Sequence, residues 1–258
     1  MLASIIISNY NYGGYLAEAI ESALEQSRAA GEIIVVDDGS TDHSVEVARR
    51  YPVRLLAREH EGAQRTMAAG IGVSTGDCFV HLSSDDRLAP NYLETTMPFL
   101  ERDSAVGFVY TAVTRFGTIH DFVPARRFTL ARLLATNYVH GSSLIRRAAY
   151  EQSSGLAHMD LAVYEDWNLI LDIVELGWRA ARTNDTTLYY RQHGVSRNTT
   201  GGEAHERAIR DIMTAHSSLY RPSPRIWYWL HRNLYRRSPQ PYIALALAAC
   251  ALAGREDC

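Results

Sequence analysis

The chain contains no lysine, so every basic side chain is an arginine. Genomic base composition alone can produce that bias, and no function follows from it. Lys+Arg of 26 against Asp+Glu of 29 give a net charge of −3, which leaves no basic footprint for a nucleic acid partner. Cysteine is scarce and odd in number. Cys78, Cys250 and Cys258 form no disulfide framework and have no metal-ligand spacing, which predicts a reducing, cytoplasmic setting. The opening run Met1-Leu2-Ala3-Ser4-Ile5-Ile6-Ile7 lacks a charged leader and a cleavage site, and reads as a strand rather than a signal peptide. No apolar run approaches the ~20 residues of a bilayer span. The longest candidate is Ile243 to Gly254, so the chain is not expected to cross a membrane.

What is present is ordinary for a globular protein. Hydrophobic residues make up 47% and charged residues 21% of 258 residues, enough for one large α/β domain with a small appendage. Leu2 to Ser8 suits a strand buried on both faces. Asn9-Tyr10-Asn11-Tyr12-Gly13-Gly14 breaks it, and Leu16, Ala19, Ile20, Ala23 and Leu24 follow at helical spacing. Ile33 to Val36 is a second strand ending in Asp37-Asp38-Gly39-Ser40-Thr41-Asp42, with a helix after it capped by Thr41 or Asp42. Val53 to Leu56 is a third strand, and a helix from Glu61-Gly62 closes at Gly76. This alternation predicts parallel βαβ units, with Ser8 to Asn11, Asp37 to Ser40, and Asp85-Asp86 on one rim.

The most informative stretch is Phe79-Val80-His81-Leu82-Ser83-Ser84-Asp85-Asp86-Arg87-Leu88-Ala89-Pro90. It reads as a buried strand delivering two adjacent carboxylates to its carboxyl end, where ligands bind in open α/β sheets. Paired carboxylates in a crevice repel unless a cation is near, which points Asp85 and Asp86 to a hard divalent metal. A helix N-cap is the plainer alternative. Further on, the pattern predicts a helix from Pro90 to Leu100, a strand over Val106 to Thr114, irregular chain over Gly117 to Ala125, and a helix over Leu130 to Leu134. A short strand over Ser142 to Ile145, a helix with an acidic first turn from Glu165, and a last strand at Leu188-Tyr189-Tyr190 follow. Thr199-Thr200-Gly201-Gly202 is the clearest linker, dividing residues 1–198 from a helical extension over 203–258 that opens with an amphipathic helix, Glu203 to Tyr220.

Ile5-Ile6-Ile7-Ser8-Asn9-Tyr10-Asn11, Val35-Val36-Asp37-Asp38-Gly39-Ser40-Thr41-Asp42, Leu82-Ser83-Ser84-Asp85-Asp86, Glu165-Asp166-Trp167 and Tyr190-Arg191-Gln192-His193 follow one another in an order and spacing that resembles family 2 glycosyltransferases over about residues 2 to 198. The resemblance implies an α/β, Rossmann-like A-type glycosyltransferase fold with a mostly parallel sheet, and an inverting, metal-dependent transfer from a nucleoside-diphosphate sugar. It places Ser8, Tyr10 and Asp37 at the base, with Tyr10 stacking and Asp37 accepting a pyrimidine imide N–H, hence a UDP- or dTDP-sugar. An Asx-turn role is the plainer reading of an acid in that loop, and it fits Asp38 or Asp42 better. Asp85 matches the carboxylate that holds Mg²⁺ or Mn²⁺, with Asp86 and Ser84 beside it and Ser83 where the family usually has an acid. His193 either completes the metal shell or is a solvent-facing loop histidine, and Arg65 is placed to reach the phosphates. Asp166 is the natural general base toward the acceptor hydroxyl, and Glu165 positions the loop or that hydroxyl, although two acids at a helix start also serve as dipole-complementary caps. Gly141-Ser142-Ser143 leaves room for the acceptor.

Arg221 to Arg237 interleaves Trp227, Tyr228, Trp229 and Tyr235 with arginines. That composition suits a peripheral contact with the inner membrane surface and a lipid-linked acceptor, or a helix covering the sheet, or a homodimer contact. The acceptor class, whether glycan, lipid-linked or small molecule, stays open. Two other functions compete. A nucleotidyltransferase would need a glycine- and arginine-rich loop after the first strand, which Asn9 to Gly14 is not. A non-catalytic nucleotide-sugar-binding scaffold is favoured only by Ser83.

Overall fold

The computed structural model describes residues 1–156, 161, 163–194, 202–221 and 223–232. The N-terminal half alternates as expected: β1 (Ala3–Asn9), α1 (Gly13–Leu24), β2 (Glu32–Asp37), α2 (Ser44–Ala48), β3 (Arg54–Ala57), α3 (Ala63–Val73) and β4 (Cys78–Ser83). The second half runs β5 (Arg87–Leu88), α4 (Tyr92–Arg102), β6 (Val106–Gly117), β7 (Asp121–Val123), α5 (Leu130–Ala135), β8 (Leu144–Arg146), α6 (Arg147–Gln152), α7 (Glu165–Glu175), β9 (Arg179–Gln192), α8 (Glu203–Ala215) and α9 (Pro224–Leu230).

The nine strands among the described residues belong to one sheet of order β3-β2-β1-β4-β8-β6-β9-β5, with β7 paired to β6. The β1–β2, β1–β4, β2–β3 and β6–β9 pairs are parallel, whereas β8 is antiparallel to both its neighbours and β5 and β7 are antiparallel edges. Side chains alternate between two buried layers, as a strand's period of two requires. Ile5, Ile7, Val35, Val80 and Leu82 face α1, α2 and α4, while Ile6, Ile34, Val36 and Phe79 face α3, α5 and α7. The Cys78 thiol sits wholly inside the first layer, and burial pushes it up to about 12, so it is inert.

Three strand features differ from the sequence pattern. Instead of the short run Leu188-Tyr189-Tyr190, β9 has 14 residues. Its first half, Arg179 to Thr187, is polar because a register shift against β6 between Thr111 and Ala112 lets residues 184–186 bulge out, tied by side-chain hydrogen bonds such as Thr186 Oγ1 to Asn91 Oδ1 at 2.8 Å. The exposed hairpin strand β7 lies in the stretch read as irregular, and the two-residue β5 is too short to show periodicity.

At the C-terminus, α8 and α9 do not stand apart. Ala208, Ile209, Ile212, Met213, Tyr220 and Trp227 join the layer that holds α5 and α7. Trp227 is buried and donates its indole N–H to the Arg221 carbonyl at 2.8 Å, whereas Ile226 and Trp229 are exposed. Of the arginine- and aromatic-rich segment, Tyr235, Arg236 and Arg237 lie outside the described residues, as do most of the linker and the 243–254 run. Among the described residues no helix is long and apolar enough to cross a membrane.

Helix α3 seats on β1 and β2 through Gly70. A Cβ added there would strike Ile6 Cγ2 and stand 2.9 Å from Val36 Cγ2, while one added at Gly72 would meet nothing within 4 Å. Gly70→Ala is therefore expected to lower unfolding free energy in urea by about 1–3 kcal/mol, and Gly72→Ala to raise it by about 0.5–1 kcal/mol.

Candidate active site

Parallel pairing sets Asn9 beside Asp37 and Ser8 beside Ser83, so the ends of β2, β1 and β4 form one rim. Asp37 is buried and committed to its own loop. Its Oδ2 accepts from Asn9 Nδ2 at 2.8 Å and from the Ser40 hydroxyl at 2.7 Å, and its Oδ1 accepts from the Ser40 N–H at 2.9 Å. It lines neither large cavity at the rim. The Asp37 carboxylate thus closes its own loop, and its neighbour Asp38 lines the cavity. Asp38 accepts from the Glu61 and Gly62 N–H groups, each at 2.9 Å, and lies 2.9 Å from His60 Nδ1. The His60 ring stacks on Tyr10 at 4.0 Å, making an aromatic platform beside Asp38. Ser8 Oγ is 3.0 Å from His81 Nε2, and Arg65 stands at the cavity edge, exposed, 3.7 Å from Glu61.

The adjacent carboxylates separate. Asp85 Oδ2 lies 3.0 Å from His193 Nε2, both side chains partly open to solvent. Asp86 is buried, and its Oδ1 accepts from the Arg191 backbone N–H at 2.8 Å. Burial and the neighbouring Asp85 push its carboxyl well above the usual carboxylate range, against the pull of that N–H and of the Arg191 charge. Asp86 thus turns into the fold and borders the smaller cavity, while Asp85 faces His193. Asp85 and His193 fit a divalent cation: one carboxylate and one imidazole face each other, and diphosphate oxygens would supply the rest. His193 is carried there by β9, since Arg191 Nε donates to the Asp85 carbonyl at 2.8 Å.

Glu165 and Asp166 open α7 directly after Tyr164, whose φ of 68° is unusual for an aromatic residue. Asp166 Oδ1 accepts from Asn137 Nδ2 at 3.0 Å and from the Trp167 N–H at 2.8 Å. Gly141 lies against the same carboxylate, where a Cβ would stand 3.1 Å from Oδ2. His140, just before it, accepts the Thr111 N–H on Nε2 at 3.2 Å, which puts its proton on Nδ1. Burial lowers this imidazole to about 4, so it is neutral in the folded protein.

Two cavities meet along a shared wall of His81, Ser83, Glu165 and Tyr190. One, about 600 Å³, holds Ser8, Tyr10, Asp38, Arg65, Ser84 and Asp85. The other, about 430 Å³, holds Asp86, Asn137, His140 and Asp166. Sequence reasoning missed Asp38, His60, His81, Asn137 and His140. Asp38 stands in the Asp37-Asp38-Gly39 motif, and of the other four only His81 left a signal, as a polar residue in an apolar strand two positions before Ser83 and so on the same face.

This architecture is that of the A-type glycosyltransferases. The S. aureus protein TarS (residues 1–349), solved with UDP-GlcNAc, superposes with a TM-score of 0.70 at 17% identity over 96% of this chain and 72% of that one. The Pyrobaculum calidifontis mannosyltransferase PcManGT, solved with GDP-Man and Mn²⁺, gives 0.66 at 21% identity over 97% and 75%. The family model described as Glycosyl transferase family 2 matches residues 4–164, and the chain belongs to that family. The match stops one residue short of Glu165. An uncharacterized glycosyltransferase of Rickettsia felis is 30% identical over 190 residues, covering 68% of this chain and 32% of the relative, and GlyG of Streptococcus pneumoniae is 33% identical over 141 residues, covering 51% and 47%. The chain spans about a third of the length of the first curated relatives it matches.

Two titrations follow from these environments. His140 is unprotonated when folded but takes a proton at about 6.5 when unfolded, so it makes stability fall as pH drops from 6.5 toward 4, by up to ~1.4 kcal/mol per pH unit. His140→Gln, which keeps an acceptor for Thr111, is expected to flatten the thermal stability profile over that window. Asp86 has the opposite sign: its raised pKa makes ionisation cost stability as pH rises above the unfolded value near 3.8. Asp86→Asn is therefore expected to melt at or above the parental temperature at pH 7, and a lower melting temperature would contradict the upward shift of this carboxyl.

Proposed function

We propose that this chain transfers a sugar from a nucleoside-diphosphate donor to an acceptor hydroxyl with inversion at the anomeric carbon. The observation that carries the reading is the pair of adjoining cavities, with Asp85 in one and Asp166 in the other across a common wall. Inverting displacement needs the leaving diphosphate and the attacking hydroxyl on opposite sides of one carbon, and two chambers with a carboxylate in each supply that separation.

The donor lies in the larger cavity, its base on the Tyr10–His60 platform and its imide N–H toward Asp38. A carboxylate acceptor there favours bases with a ring N–H over adenine and cytosine, and we read the donor as a UDP- or dTDP-sugar. Ser8 and Ser84 border the ribose and diphosphate, and Arg65 reaches in from the first turn of α3. Asp85 and His193 would hold Mg²⁺ or Mn²⁺, which would neutralise the leaving diphosphate. The nucleotide sugars bound by TarS and PcManGT, and the Mn²⁺ in the latter, support this donor class. In the smaller cavity Asp166, oriented through Oδ1 by Asn137 and Trp167, accepts the hydroxyl proton as the bond to the sugar forms. Glu165, on the shared wall, positions the acceptor hydroxyl against the donor.

Calorimetric titration with a panel of nucleoside diphosphates, with and without Mn²⁺, tests the donor side. Metal-dependent binding of UDP or dTDP is expected in the parental chain, with loss in Asp85→Ala and weakening in Asp38→Asn. Tighter binding of GDP would overturn the pyrimidine assignment alone. Asp166→Asn is expected to cut transfer by about 10²–10⁴ while nucleotide binding stays close to parental. A chain that binds no nucleotide in either condition is a scaffold, as Ser83 in place of an acid would then indicate.

A further inference from the structure

Away from both cavities, at the C-terminal end of α7, three side chains converge from two elements. Asp172 and Glu175 stand one turn apart on α7, and His216 follows α8. One oxygen of each acid and a nitrogen of the histidine lie within 4.8 Å of one another. His216 Nδ1 is 2.8 Å from Glu175 Oε2 and 3.9 Å from Asp172 Oδ1. The second polar atom of each side chain is engaged from behind. His216 Nε2 is 3.0 Å from Asn168 Oδ1, Glu175 Oε1 accepts from the Ser218 hydroxyl, and Asp172 Oδ2 accepts from the Ser154 hydroxyl. Three side chains each present one donor atom inward while an outer partner orients the other, which is the arrangement that metal shells use.

From this convergence we infer a second divalent-cation site, formed by Asp172, Glu175 and His216 and selective for a transition metal of the zinc type. An imidazole nitrogen with two carboxylate oxygens suits Zn²⁺, whereas Mg²⁺ and Ca²⁺ prefer oxygen alone. Asn168 Oδ1 can accept from Nε2–H, so an ion would take the place of the proton that Nδ1 shares with Glu175 Oε2. His216 is 3% exposed, but Asp172 and Glu175 keep 16% and 31%, so an ion reaches the site from solvent. The role is structural, since the ion would join the end of α8 to the helix that carries Glu165 and Asp166. The site is independent of the donor reading, because it shares no residue with Asp85 and His193.

The test is Zn²⁺ titration of the full chain after chelator dialysis, in an Asp85→Asn background that removes the donor-side carboxylate. Uptake of one equivalent is expected, with a rise in melting temperature that excess Mg²⁺ does not reproduce. Glu175→Gln and Asp172→Asn, at partly exposed positions, should abolish stoichiometric uptake. Ser154→Ala, which removes only an outer partner, should weaken it by about 10-fold and serves as the deciding variant if a ligand substitution unfolds the chain. Absence of uptake in the background chain, or uptake unchanged by Glu175→Gln and Ser154→Ala, would leave only a hydrogen-bonded histidine between two acids and overturn the site.

Discussion

The candidate site depends on one arginine. Arg191, near the end of β9, donates its backbone N–H to Asp86, its Nε to the Asp85 carbonyl, and a terminal nitrogen to Glu18 of α1, each at 2.8 Å. Its guanidinium lies 4.7 Å from the ring of Tyr15 and 4.4 Å from that of Phe116. A planar, permanently charged group with several fixed donors can serve the Asp85 carbonyl, Glu18 and both rings at once, which a lysine could not. The clamp pins the Asp85-Asp86 turn to the end of the longest strand, and His193 two residues later is thereby brought to Asp85. Without it the late histidine would have no reason to meet a carboxylate more than a hundred positions earlier.

The clamp also accounts for the unlike states of two adjacent acids. Arg191 gives Asp86 an N–H to accept, but burial and the neighbouring Asp85 outweigh it and raise its carboxyl. Asp85, partly open to solvent, faces the His193 imidazole instead. Environment thus divides one dipeptide into a partly open acid and a buried one, each bordering a different cavity.

The sheet's N-terminal half was legible because buried strands announce themselves by isoleucine and valine runs ended by Asn, Asp and Gly. In the far half β6 and β8 were legible in the same way, whereas β9 is polar where it bulges and β5 is too brief to carry a period. The same limit governs the site. Motif position led to the stretch Asp37-Asp38 but could not say which carboxylate turns inward, because that depends on Ser40 and Asn9 satisfying the first and on the Glu61-Gly62 backbone docking on the second. Asn137 and His140 were invisible for a related reason. They lie in irregular chain, and only the packing of α5 and α7 carries them to Asp166.

That packing draws the C-terminal helices into the chemistry. Tyr164 holds a left-handed backbone immediately before Glu165, a conformation that costs on the order of 1–3 kcal/mol and persists only where surroundings impose it. Here the surroundings include α8: Tyr164 Oη is 3.1 Å from His205 Nδ1, and the two rings meet edge to face at 5.2 Å. Lower on the same helix Asn168 and Glu175 engage His216, and Tyr220 donates to the Leu134 carbonyl at the end of α5. Both ends of α7 are therefore held by residues 205–220, so the direction in which Asp166 leaves the helix start is set jointly by the sheet and by a helix that follows it in sequence. The segment beyond the last strand is part of the scaffold that aims the proposed base.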